Sequence, residues 1–263
     1  MPDKMHCIIV ASPRGRTGKT LLARLIVEHL LLAGVPHVIF DTDAVERKLA
    51  SFFPDKTVVV DLDRVPDQMK LFDTLAAPMR MTQVIDLTHR SFRKFFSLMR
   101  DIDFVAEAKA NGIEPVIFFV PDGEVDSYEQ GMALRDQFRD SGFVLVRNDA
   151  LGEPSRESLR NSSFAGFVSH TPRMVLPRLD TFFLTAIGDP KLSLSDFMRR
   201  SLAREAPSRL APDQMSIAYL SREARAGITV WLQAAFNEIR RVLQEADIRR
   251  DILAQERPTA EGE

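Results

Sequence analysis

Seven short apolar runs rich in Ile, Val and Phe, at 6–11, 37–40, 58–60, 83–85, 116–120, 143–146 and 174–176, recur with helical patterns between them. Runs this far apart cannot pair through tight hairpins, so the alternation predicts βαβ units and strands that lie parallel. Right-handed crossovers then put helices on both faces of the sheet. Continuous runs such as Val116-Ile117-Phe118-Phe119-Val120 fit strands buried on both sides, unlike the alternating pattern of a half-exposed sheet. Leu21, Leu22, Leu25, Ile26 and Leu30, and again Phe92, Phe95, Phe96 and Met99, recur at three- and four-residue spacing and mark two of the covering helices. The expected fold class is α/β, a three-layer α/β/α sandwich with a mostly parallel sheet.

Beyond 176 the strand signal stops. Residues 216–254 read as one or two helices with Ile228, Trp231, Leu232, Phe236, Ile239, Val242 and Leu243 on a common stripe. The expected organisation is a main domain over 1–206, C-terminal helices over 207–256 packed on it, and a flexible polar tail over 257–263.

Among the 263 residues, 35 Lys and Arg nearly balance 37 Asp and Glu, and a net charge of −2 offers no global attraction to nucleic acid or anionic lipid. The apolar runs fall far short of the roughly 20 residues of a membrane-crossing helix. With no signal-peptide pattern at the start, a cytoplasmic location is expected. A single cysteine, Cys7, excludes an internal disulfide, and His6, His29, His37, His89 and His170 lack metal-ligand spacing, so no zinc site is expected.

The richest stretch is Cys7-Ile8-Ile9-Val10-Ala11-Ser12-Pro13-Arg14-Gly15-Arg16-Thr17-Gly18-Lys19-Thr20, followed at once by a helical pattern. A strand, a turn with two glycines and Lys-Thr at a helix start are the context of a phosphate-binding loop. Gly15 and Gly18 let successive N–H groups point inward, and the helix N-terminus adds partial positive charge where phosphates would sit. Lys19 would bridge the outer phosphates, and Thr20 would offer its hydroxyl to Mg²⁺. The first glycine of the usual spacing is replaced by Pro13.

From Arg14 to Thr20 the loop resembles the K-G-G-x-G-K-S/T loop of the ParA/MinD-type P-loop ATPases, nearest their plasmid-stability and conjugal-transfer branch. Arg14 stands at the signature lysine and Arg16 at the second glycine. The resemblance runs over about 7–197 and implies a P-loop NTPase fold, ATP and Mg²⁺ as cofactors, and a nucleotide-dependent homodimer. It assigns Gly15, Arg16, Thr17, Gly18, Lys19, Thr20 and Leu21 to the nucleotide, and Arg14 to a contact across the dimer. In Asp41-Thr42-Asp43, Asp43 falls where the family positions attacking water and Asp41 where it supports the metal. The alternative is a helix-capping turn, with Asp43 as cap of a helix beginning near Ala44, but two carboxylates at the carboxyl end of a strand beside a phosphate loop favour function. Asp61 and Asp86 both end apolar runs; the resemblance of Phe72-Asp73-Thr74-Leu75 to the helix preceding the family's Walker B strand puts Asp86, with Thr20 and Asp41, in the metal set. Asn148 falls where the family reads the nucleobase, Pro177 where a loop packs on it, and 191–195 resembles the helix opening that follows. Leu87-Thr88-His89 departs from the family's next segment.

His89-Arg90-Ser91-Phe92-Arg93-Lys94 mixes cations and aromatics, a pattern that also suits single-stranded nucleic acid, but the helical spacing assigns the aromatics to the core. A loose basic region, Arg199 to Arg225, leaves non-specific DNA binding possible, whereas the balanced charges of the C-terminal helix argue against membrane attachment. The leading expectation is a slow ATP hydrolase that switches between monomer and dimer to position a cargo, with a protein partner stimulating turnover. The alternatives are a small-molecule P-loop kinase, with Arg156 and Arg160 in a lid over 151–163, and a non-hydrolysing nucleotide-binding adaptor.

Overall fold

The computed structural model describes residues 5–77, 80–152, 162–203 and 221–255. Each apolar run is a strand: β1 (Met5–Ala11), β2 (His37–Asp41), β3 (Thr57–Val59), β4 (Thr82–Asp86), β5 (Ile113–Phe119), β6 (Gly142–Asn148) and β7 (Arg173–Leu176). They form one sheet in the order β3-β2-β4-β1-β5-β6-β7 with every neighbouring pair parallel, so the mostly parallel sheet expected is wholly parallel among the described strands. β1 lies in the middle. The chain builds β2, β3 and β4 to one side of it and β5, β6 and β7 to the other, and ligands of open α/β sheets bind at the carboxyl ends where the direction reverses.

Alternation along β1 divides the core. Ile8 and Val10 face a layer built from α1 (Lys19–Ala33), α8 (Thr181–Ile187), α9 (Leu194–Ala203) and α10 (Arg222–Gln255). Cys7, Ile9 and Ala11 face the opposite layer, which includes α3 (Val65–Ala76), α4 (Phe92–Asp101), α5 (Phe104–Ala110), α6 (Val125–Gln137) and α7 (Ser162–His170). One short helix, α2 (Lys48–Phe52), lies between β2 and β3. Phe92, Phe95, Phe96 and Met99 are all buried in the second layer, which leaves the cations of α4 for solvent. Cys7 is buried there too, and desolvation raises its thiol far above the ordinary range, so it is an inert core residue.

α1 is largely buried, and two of its charged residues, Arg24 and Glu28, are buried with it and find partners there. The Arg24 guanidinium donates to the carbonyls of Ile187 and Leu192 and lies 3.8 Å over the Phe52 ring. Glu28, 3.8 Å from Arg24, accepts the N–H groups of Leu194 and Ser195 at 2.9 Å each and so caps α9. α1 stops at Gly34, whose φ of 70° is a left-handed turn.

α10 lays Ile228, Trp231, Leu232, Phe236, Ile239 and Val242 into the α1 layer, with Trp231 Nε1 donating to the Pro177 carbonyl at 2.8 Å. Its Glu238 accepts the Val175 N–H at 3.1 Å, which occupies an exposed edge of β7. Among the described residues no helix is long and apolar enough to cross a membrane.

Candidate functional site

The loop between β1 and α1 turns through two left-handed residues, Arg16 (φ 60°) and Gly18 (φ 92°). A Cβ on Gly18 would fall 2.6 Å from Asn148 Nδ2, so this position admits no side chain. Asn148 fixes the loop from behind: Nδ2 donates to the Thr17 carbonyl at 2.9 Å, and Oδ1 accepts the Ala150 N–H at 3.0 Å. Thr17 is buried, and its Oγ1 has no hydrogen-bond partner. Lys19, the first residue of α1, folds back so that Nζ donates to the Arg14 carbonyl at 2.6 Å. Only 7% of Lys19 is exposed, and burial lowers its pKa to about 8 against the opposing pull of Asp86.

Three carboxylates reach the same end of the sheet. Asp86 ends β4 in register with Val10 of β1 and with Asp41 of β2. It is 5% exposed; burial, with Asp41 and Asp43 adding repulsion, pushes its pKa up to about 7 despite a hydrogen bond from the Thr20 hydroxyl and the charge of Lys19. Asp41 is raised as well, chiefly by burial, and its two oxygens accept the N–H groups of Asp43 at 2.9 Å and Ala50 at 3.1 Å. Asp43 Oδ1 accepts the N–H groups of Val45 at 3.2 Å and Glu46 at 2.9 Å, closing a turn. The helix expected near Ala44 starts instead at Lys48, after Arg47 takes a φ of 48°. Asp61 follows the edge strand β3 and accepts the N–H of Asp63 at 2.9 Å, so the topology seats Asp86 beside the loop and Asp61 away from it.

These groups surround a cleft of about 360 Å³. Of the residues expected at the site, Gly15, Arg16, Lys19, Thr20, Asp41, Asp43 and Asp86 line it. Arg16, which stands where the resembling loops have their second glycine, is among these lining residues.

Thr17, Gly18, Leu21, Asn148 and Pro177 do not line this cleft, and the first four form or support the back of the loop or the α1 core. Arg14 points elsewhere: its Nη2 lies 2.7 Å from Asp126 at the start of α6 and its Nε 3.7 Å from Asp122. Arg156 and Arg160 lie outside the described residues.

Glu46, Lys48, Thr88, His89 and Arg90 also line the cleft, and sequence reasoning missed them. Two signals mark the segment of Thr88, His89 and Arg90: the departure of Leu87-Thr88-His89 from the family pattern and the cations that open the run from His89 to Lys94. His89 packs on Gly15, and burial, then Lys19 and Arg90, hold it below the usual imidazole range.

The donor set decides which groups the cleft can hold. Among the described residues no three His, Cys, Asp or Glu side chains converge as a metal cage. Thr20 and Asp86 form a small hard oxygen site, which suits Mg²⁺ because that ion keeps most of its water and shares phosphate oxygens. A side-chain-free Gly18, a helix N-terminus and a lysine at its first residue fit the phosphates of a nucleotide.

No family model matches the sequence, and no curated protein is detectably similar. Among solved structures, the nucleotide-binding protein from Archaeoglobus fulgidus in complex with ADP aligns at a TM-score of 0.44 and 16% identity, over 69% of this chain and 84% of that one. A chain of the MinC:MinD cell division protein complex from Aquifex aeolicus aligns at 0.37 and 13% identity, over 77% of this chain and 98% of that one. At these scores the functional reading is left to the residues of the cleft.

Proposed function

We propose that this chain is a P-loop ATPase of the ParA/MinD type, which binds Mg-ATP in the cleft, hydrolyses it slowly and uses it to switch between monomer and homodimer. The observation that carries the reading is the convergence of Lys19 and Thr20 at a glycine-bounded helix N-terminus with Asp86 and Asp43 at the ends of neighbouring elements.

Lys19 leaves the Arg14 carbonyl to meet the outer phosphates, which add anionic charge to the pull of Asp86 on its buried ammonium. Thr20 and Asp86 hold the metal, whose contribution is to neutralise charge on the phosphate oxygens during phosphoryl transfer. Asp41, which lines the cleft too, would support the metal site by keeping the β2 end in place through the N–H groups of Asp43 and Ala50. Asp43 Oδ2 faces the cleft side near Thr88 Oγ1, at 3.5 Å, and is the group placed to orient water. Asn148 holds the loop in shape through Thr17 and Ala150, and it meets the base, with Pro177, only by giving up one of those bonds. Arg14 reaches the partner's phosphates once it exchanges Asp126 for them. A protein partner sets turnover, and the basic residues near α9 allow non-specific DNA contact.

Lys19→Ala is the direct test. Loss of a charge-assisted contact should weaken ATP binding by about tenfold to a hundredfold, read by calorimetry, while Asp43→Ala keeps ATP and loses phosphate release. ATP affinity unchanged in Lys19→Ala removes the loop assignment.

A further inference from the structure

His89 is the one imidazole in the cleft, and nothing in the mechanism above uses it. Its ring lies against the loop: Cε1, Nδ1 and Nε2 are 3.4, 3.5 and 3.7 Å from the point a Cβ on Gly15 would occupy. The backbone that carries it is tied down on both sides. The Leu87 N–H bonds to the Val10 carbonyl at 3.0 Å, and the Thr88 N–H to Thr42 Oγ1 at 2.8 Å. After His89, a single 3-10 turn (His89–Ser91) runs into α4, which Phe92 and Phe95 anchor in the core. The side chain is mostly exposed and covered only where its ring meets the loop, so it stabilises no core and is presented to the cleft by a fixed backbone.

The two ends of the loop have different neighbours. Gly18 meets Asn148 and Leu176, whereas Gly15 meets His89, and the cleft that His89 shares holds Asp43, Asp86 and Thr20. The carboxylate and hydroxyl end is where a metal and the last phosphate of a chain belong, because there the ligand's negative charge is greatest and the metal-holding oxygens gather. We propose that His89 is a phosphate-binding residue that contacts the outermost phosphate of a bound nucleoside triphosphate, donating a ring N–H to one of its oxygens. It rests on the reading of the cleft as a nucleotide site and adds to it a means of telling a triphosphate from a diphosphate.

The test is calorimetric binding of Mg-ATPγS and Mg-ADP to the full chain, in wild type, His89→Ala, His89→Gln and Lys19→Ala. His89→Ala should weaken ATPγS about tenfold and ADP by less than about twofold, because only the triphosphate carries the contacted group. Gln retains an N–H donor of similar reach, and His89→Gln should recover part of the loss. Lys19→Ala should weaken both ligands. Equal losses for ATPγS and ADP in His89→Ala, or no loss for either, overturn the assignment of His89 while a Lys19-dependent wild type keeps the nucleotide reading. A wild type that binds neither ligand overturns both.

Discussion

Asp86 shows how one residue can carry a site's electrostatics before any ligand arrives. Its folded pKa, about 7, lies above that of an unfolded carboxylate, so the folded state holds the proton more tightly. The associated stability is present below about pH 4 and is lost as pH rises through about 7. Asp86→Asn, neutral at every pH, should therefore come nearest to wild type at or below about pH 4 in metal-free protein and pull ahead as pH rises toward 7. Near pH 8 the raised pKa corresponds to about 4 kcal/mol, partly offset by the lost attraction to Lys19, so the variant should be more stable by a few kcal/mol, as read from urea midpoints. Arg16 offers a separate check, because a non-glycine residue at φ 60° costs about 1–2 kcal/mol, partly offset by the freedom glycine adds to the unfolded chain. Arg16→Gly should raise stability by about 0.5–1 kcal/mol, measured the same way. Gly18, Lys19, Thr20 and Asp86 are legible in the sequence because each sits at the end of an apolar run or the start of a helical one. His89 is not, because its place depends on packing against Gly15 from another element.

At the scale of elements, the short apolar runs mark all seven strands, and a parallel sheet follows from the lengths between them. Strand order does not follow. That Asp86 rather than Asp61 lies beside the loop depends on β4 entering between β2 and β1, which no local pattern encodes. The buried charges of α1 are equally silent: Arg24 and Glu28 sit among apolar residues in the sequence, and only the carbonyls and amides of 187–195 explain them. Removing one member of such a set leaves a buried charge and two amides unpaired. Glu28→Ala should cost about 3–5 kcal/mol, while Glu28→Gln, able to accept one of the two N–H groups, should cost less. Denaturant unfolding of both variants reads the difference, and equal, small losses would mean that α9 is not held by this cap.

For the whole molecule the open question is assembly, and it turns on Arg14. In the single chain its guanidinium pairs with Asp126 at 2.7 Å, with both side chains more than half exposed. An exposed pair of that kind contributes about 0–1 kcal/mol, too little to keep Arg14 from a multiply charged phosphate. Its bidentate reach lets it serve in place of lysine toward a partner's nucleotide, but only if a second copy brings the phosphates near. Asp43→Ala, which should bind Mg-ATP without consuming it, is the background in which to look. Light scattering should give a dimer for Asp43→Ala with Mg-ATP and a monomer when Arg14→Ala is added. Asp126→Asn in the same background should move the dimerisation midpoint to lower protein concentration by less than about tenfold, the ceiling set by a surface ion pair. A monomer in all three proteins, with ATP bound in each, would leave the chain acting singly and would remove the contact proposed for Arg14 across a dimer.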